Sequence, residues 1–463
     1  MLKGLQKRPY QDKAVAFLLD ANGRGAVRAP TGAGKTIIAL EAVQQIGFKR
    51  LLVLVPRYSA LLTWMQAIER TGFVQQDQVA VVQKWKASDR EALWTSPEPR
   101  VVIALYQTII RDVEHIVAQG TGDEAEESAF DVVVCDESHR IKNRDTDTYK
   151  AVKRICRRRR RIFLTATPQS KGPQDLWTTL NLLSPKVFTS YWKFVNRYCV
   201  VEDGEYGKDI IGVRRSTLPE LKSRLYGFVH SIPEKEIDGW VPKRNRQLLP
   251  VEPDKKVLRI YKSLESELLA TLPDNTHVLV PNTLAKFTAL RQLLCCPTLV
   301  HPALGVGEGF KAAIEHAENN DPHVVIFSDF PSAFPIWEAF LRKRKVPTYT
   351  LRGGMKVQDI AATIGAFERH KNDEKLSVML CSTPFAESFD IISSSTGYHV
   401  GYAWSQIANY QAEGRLTRGS KSHCNFFYVC HSKTIDTYML EVLDNKVRTT
   451  NITMRDLNEA LQN

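Results

Sequence analysis

The sequence predicts an α/β fold made of two successive lobes, each a parallel sheet flanked by helices, with helical protrusions between them. Three observations carry that prediction. Short apolar runs alternate with helical patterns from Tyr10 to about Leu183, and the same alternation resumes after about residue 309. The stretch between them breaks the pattern, with aromatic and basic residues mixed among Pro233, Pro242 and Pro250. A chain of 463 residues is also too long for one ordinary core. The pattern places a first lobe at 1–185, protrusions and the linker into the second lobe at 186–309, a second lobe at 310–445 and a C-terminal tail at 446–463.

The elements follow in order. Tyr10–Asp20 has helical periodicity, and Asn22-Gly23 ends it in a turn. Strands are expected at Gly25–Ala29, Leu51–Val55, Val79–Val82, Val101–Leu105, Val132–Cys135 and Ile162–Leu164. The acidic segment Gly122–Ser128 reads as a solvated loop. After the Pro-containing stretch come helices at Lys255–Ala270 and Thr283–Leu294. The second lobe supplies strands at His323–Phe327, Thr348–Leu351, Ser377–Cys381, Tyr398–Val400 and Asn425–Val429.

Composition narrows the class. Hydrophobic content of 43% and charged content of 25% are those of a globular protein. No run approaches the roughly 18 apolar residues of a membrane span. The first residues, Met1-Leu2-Lys3-Gly4-Leu5-Gln6-Lys7-Arg8, lack the apolar stretch of a signal peptide, so an intracellular, reducing compartment (cytoplasm, nucleoid or nucleus) is expected. A net charge of +12 favours a polyanionic partner without choosing among DNA, RNA and an anionic membrane, and many basic proteins have no such partner. The eight cysteines form no disulfide or zinc framework. His423-Cys424 and Cys430-His431 flank a strand-like run, which holds the two pairs roughly 20 Å apart, too far for one metal.

Two stretches carry chemistry. Residues 29–36 read Ala-Pro-Thr-Gly-Ala-Gly-Lys-Thr between a strand and an apolar-periodic helix. That context lets backbone N–H groups of Thr31, Gly32, Ala33 and Gly34 and the helix N-terminus cradle phosphates. A Gly-rich turn can also occur there without nucleotide. The second stretch, Asp136-Glu137-Ser138-His139, emerges at the carboxyl end of Val132–Cys135, where open α/β sheets bind ligands. Lys35 can reach the β- and γ-phosphates, and the Thr36 hydroxyl and Asp136 can hold Mg²⁺. Glu137 can orient an attacking water. Further on, Arg415 and Arg418 share a face if Gln411–Gly419 is helical. They read either as an exposed basic helix or as arginines that stabilise charge on a γ-phosphate. Arg157–Arg161 is the most basic run; it precedes the Ile162–Leu164 strand and reads as a solvated edge opposite the nucleotide cleft, with a secondary DNA contact or partner docking as alternatives.

These motifs together resemble superfamily 2 nucleic-acid motors, and within them the Snf2-like group of DNA translocases. The resemblance covers nearly the whole chain. Arg8-Pro9-Tyr10-Gln11 looks like the group's glutamine motif, which implies adenine recognition by Gln11 with Arg8 beside it. Leu52-Val53-Leu54-Val55-Pro56, with Trp64 on the next helix, is similar to motif Ia. Asp136–Asn143 is similar to motif II with its basic extension, and Leu164-Thr165-Ala166-Thr167-Pro168 to motif III. Leu290–Pro297 resembles the helix-ending signature before the second core, Val325-Ile326-Phe327-Ser328 resembles motif IV, and Trp404 matches a tryptophan upstream of motif VI. Gln411, Arg415 and Arg418 fall on motif VI, which implies that they act with Lys35, Asp136 and Glu137 on the γ-phosphate.

Two departures stand out. Cys381-Ser382-Thr383 of motif V is followed by Pro384-Phe385-Ala386-Glu387 instead of a glycine-rich turn, and the glutamine that usually ends motif VI is Lys421. The resemblance implies two RecA-like lobes, ATP and Mg²⁺ as cofactors, and a bare, monomeric motor. It also implies movement along DNA, duplex DNA being favoured, with Arg57, Tyr106, Gln107, Ser328, Ser382 and Thr383 contacting the track. The alternatives are a strand-separating or branch-migrating helicase on DNA or RNA, and a non-hydrolysing DNA-binding scaffold.

Overall fold

The protein, seen in a computed structural model, is described over residues 8–82, 86–118, 127–166, 172–204, 207–267, 269–271, 277–279, 283–386, 389–419, 421–441 and 443. It divides into two compact units, one ending at Asp238 and the other beginning at Gly239. Each is built on one parallel sheet.

In the first unit, α1 (Pro9–Asp20) leads through the Asn22-Gly23 turn into β1 (Arg24–Arg28). Then come α2 (Lys35–Ile46), β2 (Leu51–Val55), α3 (Tyr58–Thr71), β3 (Val79–Val81), α4 (Ala87–Thr95), β4 (Val101–Leu105), α5 (Tyr106–Ile116), β5 (Val132–Cys135), α6 (Asp147–Ile155) and β6 (Arg160–Thr165). A seventh strand, β7 (Val229–Ser231), closes the sheet after an insertion. The sheet order is β7-β1-β6-β5-β2-β4-β3, parallel throughout. All five residues of β2 are completely buried, as expected for a strand covered on both faces. The apolar runs alone located these central strands to within a residue or two.

The arginine run has a different role from the one expected. Arg157 and Arg158 are exposed, as expected of a solvated edge, but the last two residues belong to β6 at the amino end of the sheet and turn to the protein. Arg161 is 7% exposed and donates to the Cys156, Arg159 and Leu183 carbonyls. Arg160 donates to the Ile46 and Gly47 carbonyls and to the Asp131 carboxylate at 2.7 Å. Asp131 also accepts from the Arg50 backbone N–H at 2.6 Å, and the Arg50 guanidinium donates to the Leu93 and Trp94 carbonyls. These cations satisfy carbonyls left over where helices and strands end, so they fasten the end of the sheet away from its carboxyl edge.

The second unit has the sheet order β8 (Lys243–Val251), β13 (His423–His431), β12 (Thr396–His399), β9 (His323–Ser328), β11 (Ser377–Ser382) and β10 (Thr348–Leu351), again parallel throughout. Helices α7 (Glu308–Asn320), α8 (Phe334–Lys343), α9 (Val357–Glu368) and α10 (Gln406–Glu413) connect its strands. The long β13 sets His423-Cys424 and Cys430-His431 at opposite ends of one strand.

The stretch read as protrusions and linker is more varied than expected. It holds the helices Tyr191–Tyr198, Leu218–Leu225, Lys255–Glu267 and Thr283–Cys295, but also an antiparallel hairpin, Cys199–Gly204 with Gly207–Val213. The first of the two predicted helices stops at Glu267, and Leu269–Thr271 is extended. Within the same stretch, β8 is a full strand of the second sheet. Pro250 and the charges of Lys243, Arg244 and Arg246 disguised it, and both features belong to an edge strand. Most of the acidic Gly122–Ser128 segment lies outside the described residues.

Three histidines, His323, His399 and His431, are buried in the second unit, and the first two are packed against aromatic rings. His323 bonds the Ser377 and Ser393 hydroxyls through its two ring nitrogens and stacks on Phe367 at 3.8 Å. His399 is sandwiched by Tyr428 at 4.3 Å and Phe327 at 5.2 Å, and neither ring nitrogen bonds a described residue. Burial pushes both imidazoles down to about 4. An unfolded chain protonates them near pH 6.5 while the folded unit resists until about pH 4. Stability is therefore complete above the upper value and is lost as the pH falls through that window, by up to roughly 3 kcal/mol per histidine. Urea denaturation should show a lower midpoint at about pH 5 than at about pH 7.5, and His399→Phe should remove part of that difference. An unchanged difference in that variant would refute the account.

Candidate active site

The loop from Ala29 to Gly34 joins β1 to α2. Gly32 and Gly34 have φ of +87° and +79°, the left-handed region that glycine enters without strain. A Cβ on Gly34 would lie 2.4 Å from Gln11 Nε2. That amide donates to the Ala33 carbonyl at 3.0 Å, while Gln11 Oε1 accepts from the Arg8 N–H at 3.1 Å. Gln11 therefore fixes the loop from outside, with the Arg8 guanidinium held on the Tyr10 hydroxyl. The Ala29 N–H extends the sheet by bonding the Thr165 carbonyl at 3.0 Å. Thr31 is buried, and Lys35 and Thr36 open α2, so the loop faces the positive end of a helix. Lys35 Nζ donates to the Ala29 carbonyl at 3.2 Å and stands 4.0 Å from Glu137 Oε1.

Asp136 and Glu137 follow β5 directly. The Asp136 N–H bonds the Leu54 carbonyl, which prolongs the sheet by one residue. Its carboxylate accepts from Trp64 Nε1 at 2.9 Å and from the Glu137 N–H at 3.0 Å. Burial, then the adjacent Glu137 carboxylate, pushes the Asp136 carboxyl up to about 6, against the pull of Trp64 and Lys35. Glu137 has φ of +49°, a conformation that costs a non-glycine residue about 1–3 kcal/mol. That turn aims its carboxylate at Lys35, and His139 Nδ1 lies 3.3 Å from Glu137 Oε2. Of motif III, Thr165 and Ala166 are buried at the end of β6; Thr167 and Pro168 lie outside the described residues.

The other expected site residues fall at carboxyl ends of strands. Arg57 precedes α3 just after β2, and Gln107 is exposed on the first turn of α5. Tyr106 is 4% exposed and donates its hydroxyl to the Asp136 carbonyl at 2.9 Å, so it supports the acidic turn from within. Ser328 ends β9 and is fully buried, its hydroxyl accepting from the Phe330 N–H. Ser382 ends β11, and the Thr383 N–H bonds the Ser328 carbonyl at 2.9 Å. Where a glycine-rich turn was absent, Phe385 and Phe389 pack at 5.4 Å instead; Glu387 lies outside the described residues.

Motif VI differs from the helical reading. α10 ends at Glu413, so Arg415 and Arg418 lie in the turn beyond it and share no helical face. They converge all the same: Arg415 Nη1 and Arg418 Nε lie 3.4 and 3.0 Å from Asp390 Oδ1. Gln411 is 2% exposed on the helix itself. Lys421, standing for the usual glutamine, donates to the Ser394 and Leu416 carbonyls at 2.5 and 2.9 Å and so ties the turn to the segment before β12.

The first unit thus brings together Gln11, Lys35, Asp136 and Glu137, and the second brings together Arg415 and Arg418. Sequence reasoning missed the donor role of Trp64, the inward direction of Tyr106 and the acceptor Asp390. An indole two turns into a helix after a buried strand was the available signal for the first. The other two depend on tertiary packing.

Comparison with known proteins bears on the same residues. A family profile described as "Type III restriction enzyme, res subunit" matches residues 4–170. The human "DNA annealing helicase and endonuclease ZRANB3" is 24% identical across 98% of this chain and 41% of its own length. The Xenopus tropicalis "SWI/SNF-related matrix-associated actin-dependent regulator of chromatin subfamily A-like protein 1" is 22% identical across 96% of this chain and 44% of its own. The Drosophila willistoni "DNA repair and recombination protein RAD54-like" is 21% identical across 98% of this chain and 64% of its own. The chain spans about two fifths of the length of the first of these relatives. A solved structure, the "Sulfolobus solfataricus SWI2/SNF2 ATPase core in complex with dsDNA", matches at TM-score 0.43 and 18% identity over 100% of this chain and 97% of that one. These relatives extend over both units, the family profile covers the strands and loops that carry Lys35, Asp136 and Glu137, and the chain is thus similar to these proteins along nearly its whole length.

Proposed function

We propose that this chain is an ATP-dependent DNA translocase that couples ATP hydrolysis to movement along duplex DNA. The observation that carries this reading is the cluster at the carboxyl edge of the first sheet. A lysine amine faces a strained, aimed glutamate, beside a part-buried carboxylate fixed by an indole. The names of two of the curated relatives, a DNA annealing helicase and endonuclease and a DNA repair and recombination protein, support DNA as the track. The net charge of +12 suits a polyanion contacted mainly through phosphates.

In this reading the 31–36 loop and the α2 N-terminus bind the phosphates, and Lys35 neutralises the β- and γ-phosphates. Arg8 and Gln11 frame the adenine side. The donor set fits Mg²⁺, because the part-buried Asp136 carboxylate and the Thr36 hydroxyl offer the hard oxygens that such an ion takes. Such an ion would supply positive charge at the phosphate oxygens. Glu137 orients the water that attacks, its strained turn held by Lys35 and His139. Trp64 and Tyr106 are positioning residues that fix Asp136 through its side chain and its carbonyl. Gln411, Arg415 and Arg418 act on the γ-phosphate from the second lobe. Arg57 and Gln107 line the track, while the buried Tyr106, Ser328, Ser382 and Thr383 act on it only through the turns they support.

The test is an ATPase panel with duplex DNA, single-stranded DNA and RNA, run beside strand-displacement and strand-annealing assays. Duplex DNA should stimulate turnover most, with no strand displacement; preferential stimulation by single strands or RNA would favour a helicase instead. Glu137→Gln should lower kcat by about 100-fold or more while leaving ATP binding nearly unchanged. Retained turnover would show that the water is positioned elsewhere. Gln11→Ala should raise KM for ATP by roughly tenfold and flatten the preference for ATP over GTP, because both the base contact and the brace on Ala33 are lost.

A further inference from the structure

The edge strand β8 lies outside every motif, yet its side chains grip the end of motif VI. Glu413 is completely buried at the last residue of α10, and its backbone carbonyl accepts from the Leu416 and Thr417 N–H groups at 3.0 and 3.2 Å. That carbonyl therefore organises the turn that carries Arg415 and Arg418. Its carboxylate is held in a fork by Arg246, with Nε at 2.8 Å from Oε1 and Nη2 at 2.5 Å from Oε2. The Tyr428 hydroxyl donates to Oε1 at 2.9 Å. Arg244, two residues back along β8, stacks over the Tyr410 ring at 3.8 Å and donates to the Thr417 hydroxyl at 3.3 Å. Burial alone would raise the Glu413 carboxyl, but the Arg246 bonds and nearby cations outweigh it and hold the group below its usual value. A fork fixes direction as well as distance, which a single point charge does not.

We infer that Arg246, acting through Glu413, is a positioning residue for the motif VI arginines, so that the edge strand of the second sheet sets their aim. This rests on the ATPase reading above. Breaking the fork leaves Glu413 buried without its partner and frees the turn. The aim of Arg415 and Arg418 matters only where charge develops, so the loss falls on kcat and spares KM.

Arg246 also lines an open groove of about 190 Å³ beside Tyr410, Tyr428 and Leu248, and that groove supplies a decisive control. In Arg246→Ala, kcat with duplex DNA should fall by about 10- to 100-fold with KM for ATP within threefold, as misplacement of a catalytic group by an ångström can do. Millimolar methylguanidinium, entering through the groove, should restore part of the lost kcat without changing the wild type. Tyr428→Phe removes one donor without stranding the charge and should lower kcat by roughly threefold, which keeps the question answerable if Arg246→Ala folds poorly. A readout independent of hydrolysis is hydrogen exchange of the 414–418 amides, which should accelerate by roughly tenfold in Arg246→Ala. Unchanged kcat and unchanged exchange would overturn the inference, as would a kcat loss that methylguanidinium does not relieve in a variant of normal exchange. Faster exchange in a protein whose wild type hydrolyses nothing would leave the clamp standing and remove the ATPase reading.

Discussion

A carboxylate partly withdrawn from water must be held by donors, and the first unit is organised around one such group. Asp136 sits at the end of a fully buried strand, with an indole, its neighbour's amide and a nearby ammonium supplying what water would have supplied. The parallel sheet makes this possible. Parallel strands end together on one edge, so the loop after β1, the acids after β5 and the polar residues after β2 and β4 all emerge on the same side. The opposite edge is left to structural cations. Chemistry and fastening are thus segregated to the two ends of one sheet.

The same economy recurs in the second unit, again with a carboxylate as the anchor. There a buried glutamate is the anchor, Arg246 and the Tyr428 hydroxyl are its donors, and Arg244 stands 3.8 Å away. A buried ion pair adds little net stability compared with a well-packed apolar pair, but breaking it by removing one partner is costly. That asymmetry suits a feature whose purpose is to hold one geometry. Asp390, which is more exposed, gathers the side chains of Arg415 and Arg418, so the turn is fixed at its backbone by one carboxylate and at its tips by another.

Much of this was legible in the residues. Fully buried strands such as Leu51–Val55 and Val132–Cys135 announce themselves because both faces are apolar, and the phosphate loop and acidic pair announce themselves because spacing and chemistry coincide. What was not legible has physical reasons. Lys243–Val251 is an edge strand whose polar outer side and proline imitate a linker. Arg160 and Arg161 look solvated until the carbonyls they satisfy are brought beside them by the fold. Arg415 and Arg418 have helical spacing, but the helix stops at Glu413 with Gly414 as its cap, and both arginines lie in the turn beyond it. Tyr106 looked like a surface contact, yet its ring closes a gap that only the packed core defines.

The long outer margin of the second sheet has one more implication. Among the described residues, strand Lys243–Val251 presents nine residues with a neighbour on one side only, a surface on which foreign chains could zip up and grow. Two of its guanidiniums are already committed inward, a lysine guards one end, and Pro250 brings no N–H to offer an incomer. Any strand adding there would have to displace ion pairs and accept a missing rung, so the margin that steadies the arginine turn is also shielded against runaway self-association.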